Sequence, residues 1–374
     1  MAPPLSRADT SLLGRWWWTV DRWTLLAVAT LIGLGYVMML AASPAVAERI
    51  RQSRDIFIFK QVFFLGLAGA VVVVVSLLSP RGIRRVALAG CLVALALTAL
   101  TLVMGVEIKG ARRWIALPGL SLQPSEFLKP CFAVVAAWLI AEGRRSQRFP
   151  GMLVAFAVFG VIVLLLKSQP DVGMLAVISG VFFIQLYVGG LKTVFVGIGM
   201  ACMGGAAVAA YAFFPHVQSR VLRFLNPAEG DNYQVQRALE AFGNGGLLGR
   251  GPGEGRVKDV LPDAHADTVF AVVGEEFGMI LCMVIVGLFA FIVLRGLLRL
   301  LAEADLFVIL AATGLVASFG LQAFVNMAST LHLIPTKGMT LPFISYGGSS
   351  VLAVALGIGM LLALTRKRHN GELL

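Results

Sequence analysis

Apolar runs of about 20 residues recur ten times along these 374 residues, at roughly 24–43, 57–78, 86–104, 126–141, 150–167, 172–189, 191–213, 268–294, 306–328 and 346–364. A helix of that length rises about 30 Å, the thickness of the hydrocarbon core of a bilayer. A run that is apolar on every side has no face to turn toward water. Hydrophobic residues make up 58% of the chain and the mean hydropathy is +0.87. The pattern therefore predicts an all-α polytopic membrane protein of about ten transmembrane helices, with residues 1–374 forming a single integral membrane domain. The first apolar run starts late, is too long for the core of a secretory signal, and lacks a small-residue cleavage site, so it reads as a span.

Positive charge predicts the orientation. Arg7, Arg15 and Arg22 precede the first run. Arg81, Arg84, Arg85, Arg144, Arg145, Arg148, Lys192, Arg295 and Arg299 fill alternate connections, and Arg366, Lys367 and Arg368 fill the tail, 15 in all. The short loops of the opposite side hold seven: Arg49, Arg51, Arg54, Lys109, Arg112, Arg113 and Lys337. Residues 1–22 and 365–374 are thus expected in the cytoplasm, with 214–267 as one long external loop. Trp16, Trp17, Trp18 and Trp23 suit an interfacial anchor. The net charge of +11 follows from this bias and points to anionic lipid headgroups, not to nucleic acid. Cys91, Cys131, Cys202 and Cys282 fall in apolar runs with no metal spacing and read as packing residues.

Against this background the segment Leu261-Pro262-Asp263-Ala264-His265-Ala266-Asp267-Thr268-Val269-Phe270 stands out. Asp267 sits at the mouth of an apolar run, where a carboxylate is costly unless it has a task or a partner. Ala271, Gly274 and Gly278 follow on the same helical face as a smooth groove, fit for a lipid chain or, more commonly, a neighbouring helix. Glu275 and Glu276 lie deeper and are expected to pair with basic residues of other helices.

Two more polar segments face the same side. In Gln123-Pro124-Ser125-Glu126-Phe127-Leu128-Lys129-Pro130, Pro124 suits a first helical turn. Glu126 and Lys129 then share a face and can pair, and Pro130 leaves the carbonyl of Glu126 without its helical donor. A polar cavity is the favoured reading, a purely structural ion pair the alternative. The stretch 333–350 (LIPTKGMTLPFISYGGSS) reads as a loop or reentrant turn leading into a helix with Gly347 and Gly348 in its first turn. Irregular backbone at membrane depth is tolerated where it lines a cavity.

The long external loop holds two short helices, one amphipathic at 220–225 and ended by Asn226-Pro227, one at 233–242. A glycine-rich stretch follows at 243–255. It is neither a phosphate loop nor a dinucleotide fingerprint. It is read either as a flexible turn or as a backbone surface that lets a bulky substrate approach. With no serine elbow, zinc motif or Cys–His dyad, the chemistry left is general acid–base catalysis by a carboxylate, with basic residues holding an anion.

In combination, GARRWI (110–115), QPSEFLK (123–129), QPDVG (169–173), GGLLGRGPGEG (245–255), LPDAHADTVFAVVGEEFG (261–278) and PTKGMTLPFISYGGSS (335–350) resemble the SEDS family of bacterial cell-wall polymerases (shape, elongation, division and sporulation proteins) over nearly the whole chain. The division type fits better than the elongation type. The family's usual His-Thr-Asp-Phe-Ile-Phe appears here as His265-Ala266-Asp267-Thr268-Val269-Phe270, with smaller neighbours around the retained aspartate.

The resemblance implies a peptidoglycan glycosyltransferase of the inner membrane at the division septum. Lipid II, a disaccharide pentapeptide on undecaprenyl pyrophosphate, would be donor and acceptor, with Asp267 as general base. Arg112, Arg113, Trp114, Glu126, Lys129, Arg220, Arg223, Lys337 and Ser345 are the candidate substrate contacts. A class B penicillin-binding protein and other divisome proteins are the implied partners. The chain shows no metal cage, which leaves Mg or Mn on the substrate pyrophosphate as the one cofactor to consider. A lipid II flippase, a transporter of another anion and a non-catalytic division scaffold are the competing readings. A transporter would place its charges near mid-membrane and often shows two related halves; neither is visible here.

Overall fold

The computed structural model describes residues 11–49, 54–108, 111–117, 120–146, 148–225, 233–261, 264–335 and 338–367. A short helix, α1 (Leu12–Thr19), is capped by Ser11, whose hydroxyl accepts from the Gly14 amide at 3.0 Å. Long helices follow: α2 (Arg22–Arg49), α3 (Arg54–Ser76), α4 (Pro80–Met104), α5 (Pro124–Arg145), α6 (Gly151–Ser168), α7 (Val172–Val188) and α8 (Thr193–Phe213). Then come two short helices, α9 (Pro215–Leu225) and α10 (Tyr233–Gly245), and finally α11 (Val269–Leu300), α12 (Leu306–Thr330) and α13 (Gly348–Leu364). Seven of these are long and apolar enough to cross a membrane. The shorter apolar helices α7 and α13, together with α8, occupy the other three apolar runs. The chain is a multi-pass helical membrane protein.

The centre is built on α5, which packs against α4, α6, α7, α12 and α13. This helix is buried nearly all round, and its small residues Cys131, Ala133, Ala136 and Ala137 let neighbouring helices approach closely. Gln185 of α7 is fully buried and donates through Nε2 to the Ala133 carbonyl at 2.7 Å and the Leu310 carbonyl at 3.0 Å. One side chain thereby ties three helices together.

Both ends of the described chain lie on one face. Asp21 pairs with Arg295 at 2.7 Å and Arg299 at 2.8 Å at the end of α11. Arg366 donates to Thr19 at 3.0 Å, and the Trp16 indole donates to Ser76 at 2.8 Å. Burial opposes ionisation of Asp21, but the Arg295 hydrogen bond and the nearby Arg299 charge outweigh it and hold its carboxyl below the ordinary aspartate range.

Two features depart from the sequence reading. The segment after α4 is a small antiparallel sheet, β1 (Val106–Ile108), β2 (Ala111–Leu117) and β3 (Leu120–Leu122) in that order. β1 and β3 have three residues each, too few for a period of two to emerge, and the seven residues of β2 (ARRWIAL) do not alternate apolar and polar. The second departure is inside α11, where Gly278 is left-handed (φ 78°, ψ −178°) and breaks the helix. The polar groups freed there are satisfied by the glycine-rich stretch. The Arg250 and Gly251 amides donate to the Glu275 and Glu276 carbonyls at 3.0 Å each, and the Met279 amide donates to the Gly246 carbonyl at 2.9 Å. A Cβ on Gly278 would lie 2.4 Å from both the Gly249 nitrogen and the Leu247 oxygen. These glycines thus serve a backbone-to-backbone crossing within the protein.

Candidate functional site

The break makes residues 269–277 a half-helix with Asp267 just before its N-terminus. Its small-residue face does not stay open. Phe242 of α10 packs on Gly274, and a Cβ on Gly245 would lie 1.8 Å from the Gly274 carbonyl oxygen. Helix packing, not a lipid chain, uses this groove. Glu275 and Glu276 are fully buried but pair with the loop ahead of them instead of with other spans. Glu275 accepts from the Arg256 and Val257 amides at 3.0 Å. Glu276 accepts from the Gly253 amide at 2.8 Å and from Lys258 Nζ at 2.6 Å. Lys258 also reaches the Ala41 carbonyl on α2 at 3.2 Å. The carboxylates do pair with basic residues, Arg250 and Lys258, but these come from the loop ahead of α11 and not from other spans, because the helix break brings that loop against them.

Asp267 itself is partly accessible. Its backbone carbonyl accepts from Asn326 Nδ2 of α12 at 3.0 Å. Gly338 lies so close that a Cβ there would come within 2.8 Å of Oδ2. The stretch 338–347 is a docked loop. Its Tyr346 amide donates to the His265 carbonyl at 2.8 Å and the two rings lie 5.3 Å apart. Phe343 is forced to φ 63°, and its carbonyl presses on Gly35 of α2, where any side chain would collide.

Lys129 and Glu126 form the ion pair, at 2.8 Å, with side chains only 3% and 12% exposed. Lys129 donates also to Gln322 Oε1 at 2.5 Å. The amide of Gln322 continues to the Thr340 carbonyl at 3.1 Å and to Ser350 at 3.2 Å. Gln322 and Asn326 are one turn apart on α12, so the ion pair and Asp267 sit on one polar strip. Pro130, Ser318 and Gly357 line a small cavity beneath Lys129. The ion pair is present, and the cavity beside it is lined mainly by apolar residues such as Leu315, Phe319 and Ile358.

The other candidates are placed differently. Arg113 is committed to the turn after α6, donating to the Gln169 carbonyl at 2.9 Å and the Pro170 carbonyl at 2.6 Å, with Asp171 3.4 Å away. That use leaves it no open fork for a phosphate. Arg112 pairs across the hairpin with Glu107 at 3.4 Å and stays exposed. Trp114 is half-buried on β2, opposite Val106. Ser345 is fully buried, its hydroxyl accepting from the Leu341 amide at 2.8 Å within its own turn. Arg220 and Arg223 lie on α9, their side chains outside the described residues. Lys337, Asn226 and Pro227 fall outside as well. Among the described residues no group of three or more His, Cys, Asp or Glu is placed to hold a metal ion.

Gln322 and Asn326 were missed by the motif reading. Their signal was present: two amides four residues apart inside an apolar run, a costly placement in lipid.

The break, the docked loop and the polar strip define a membrane-embedded site assembled at the mouth of a half-helix. A family model described as "cell cycle protein", that of FtsW, RodA and SpoVE, matches residues 22–370, and the chain belongs to this family, the SEDS proteins. Its similarity runs to the division type. It is 44% identical over 365 residues to the probable peptidoglycan glycosyltransferase FtsW of Caulobacter vibrioides, covering 97% of this chain and 93% of that one. It is 36% identical over 351 residues to the protein of that name from Trichlorobacter lovleyi, covering 91% and 92%. A chain of a peptidoglycan synthase complex that coordinates polymerization and crosslinking superposes with a TM-score of 0.77 at 28% identity, covering 92% and 97%. The rod-shape-determining protein RodA of Thermus thermophilus gives 0.69 at 28% identity, covering 93% and 97%.

Proposed function

We propose that this chain is a peptidoglycan glycosyltransferase of the bacterial cytoplasmic membrane, polymerising lipid II for the septal wall with a class B penicillin-binding protein and other divisome proteins as partners. The observation that carries the reading is the placement of Asp267. It is the carboxylate at the mouth of a half-helix, partly accessible, with the Gly338 backbone against it and the Asn326 side chain bonded to its own carbonyl. In the proposed reaction Asp267 takes the proton of the acceptor 4-hydroxyl. The hydroxyl oxygen forms its bond to the anomeric carbon of the donor sugar while the bond to undecaprenyl pyrophosphate breaks, and the pyrophosphate leaves with the electron pair. Arg112, Arg220, Arg223 and Lys337 are the cations proposed to meet that charge. Lys129 and Arg113 are occupied within the protein and are assigned to building the site.

The test is polymerisation of labelled lipid II by purified protein with its partner. Asp267→Asn should lower the rate by about 10²- to 10⁴-fold, the usual worth of a general base, with folding and partner binding retained. A flippase would make no polymer even as wild type. A scaffold would tolerate the change in cells. Near wild-type extension by a folded, partner-bound Asp267→Asn protein would overturn the assignment.

A further inference from the structure

The loop bearing Gly338 has no regular structure, yet its backbone must stay against the Asp267 carboxylate. Two side chains of α12 hold it there. Gln322 donates to the carbonyl and hydroxyl of Thr340 at 3.1 and 3.3 Å. Asn326, fully buried, uses one Nδ2 for two carbonyls: Met339 at 2.5 Å and Asp267 itself at 3.0 Å. Asn326 is thus bonded both to the residue bearing the carboxylate and to the loop facing it. An amide nitrogen has two hydrogens and can serve two acceptors at once. A hydroxyl has one, and a carboxylate has none when ionised.

The arrangement is closed from the other side by Gly338. A methyl group there would stand 2.8 Å from Oδ2, closer than non-bonded atoms tolerate, so the carboxylate or the loop would have to move. The carboxylate is therefore held between a bond on its own backbone and a wall without a side chain.

We propose that Asn326 is a positioning residue for the reaction. By joining the carbonyls of Asp267 and Met339 it sets the Asp267 carboxylate against the Gly338 backbone, and that placement makes it an effective base. The inference rests on the reading of Asp267 as general base. Displacement of a base by about 1 Å can cost about 100-fold without loss of substrate affinity, so the signature is kinetic.

The experiment compares Asn326→Ala, Gly338→Ala and the double variant in lipid II polymerisation with the partner bound, alongside Asp267→Asn. Thermal midpoints and monodispersity establish the folded fraction. Each single change is expected to lower kcat by about 10- to 100-fold with KM unchanged. The double change should fall little below the worse single one, because both displace the same carboxylate and effects through one group do not add. Asn326→Asp, close in shape but without both donors, should behave like the alanine variant. Near wild-type kcat for folded Asn326→Ala overturns the inference, as do losses that add and track a fall in thermal midpoint. If folded Asp267→Asn keeps its activity, the reading of the base has failed and this inference falls with it; if Asp267→Asn loses activity while Asn326→Ala keeps it, the inference alone has failed.

Discussion

At the scale of single residues, a buried charge on this site is tolerable only with its partner. Glu126 and Lys129 share one ion pair in a nearly closed environment, and Lys129 hands its second hydrogen bond to Gln322. Removing either partner strands the other, at a cost of about 3–5 kcal/mol. Glu126→Gln and Lys129→Met should each lower the thermal midpoint in detergent and the polymerisation rate. The double change should cost clearly less than the sum, and strict additivity in unfolding experiments would contradict the pairing. Arg113→Ala should act in another way. It removes donors from the carbonyls of the turn that starts α7, so it should lower stability while KM for lipid II stays near wild type. A selective rise in KM would restore Arg113 as a substrate contact.

At the scale of elements, the broken helix α11 and the glycine-rich stretch are one unit. Each supplies hydrogen-bond partners that the other lacks at the break, which satisfies backbone that would otherwise be unpaired. Gly278→Ala introduces both a disfavoured φ and a collision with residues 247–249. It should cost at least ~1–3 kcal/mol and open residues 246–258 to proteolysis. Gly287 of the same helix has nothing near its would-be Cβ, so Gly287→Ala should be neutral or slightly stabilising, the ordinary preference of helices for alanine. Equal effects of the two changes, read as thermal midpoints, would argue against the break as a packed junction.

At the scale of the molecule, one face gathers α1, the start of α2 and the ends of α3, α11 and α13, while the polar strip lies where α5 and α11 begin and α12 ends. The Asp21 pairs with Arg295 and Arg299 bind the first of these faces together. Because the carboxyl of Asp21 is lowered on folding, its contribution is fully present above the ordinary aspartate pKa of about 3.9 and is lost as pH falls through the lower folded value. Acidification across that window should reduce the midpoint of wild type more than that of Asp21→Asn, which should already be destabilised by about 1–3 kcal/mol at neutral pH. Equal acid sensitivity would remove Asp21 from the account. The proposed orientation is tested by cysteine labelling in intact spheroplasts. A cysteine placed near 247–248 should label without permeabilisation and one near 144–148 only after it; the reverse would invert the topology and remove the cell-wall reading.

The apolar runs, the charge bias, the Glu126–Lys129 pair and the singular position of Asp267 were all legible along the chain, because each is a local statement about transfer from water to lipid. Spacing alone was enough to put Glu126 and Lys129 on one helical face. Tertiary structure decided what spacing does not contain. It turned the 243–255 glycines toward α11, gave Glu275 and Glu276 their partners across the helix break, and spent Arg113 and Ser345 on turns. It also brought Asn326 to a carbonyl 59 residues away in sequence. A hydrogen bond depends on where two groups meet in space, and in a helical membrane protein that is settled by which faces of the spans pack together, long after hydropathy has decided that they span.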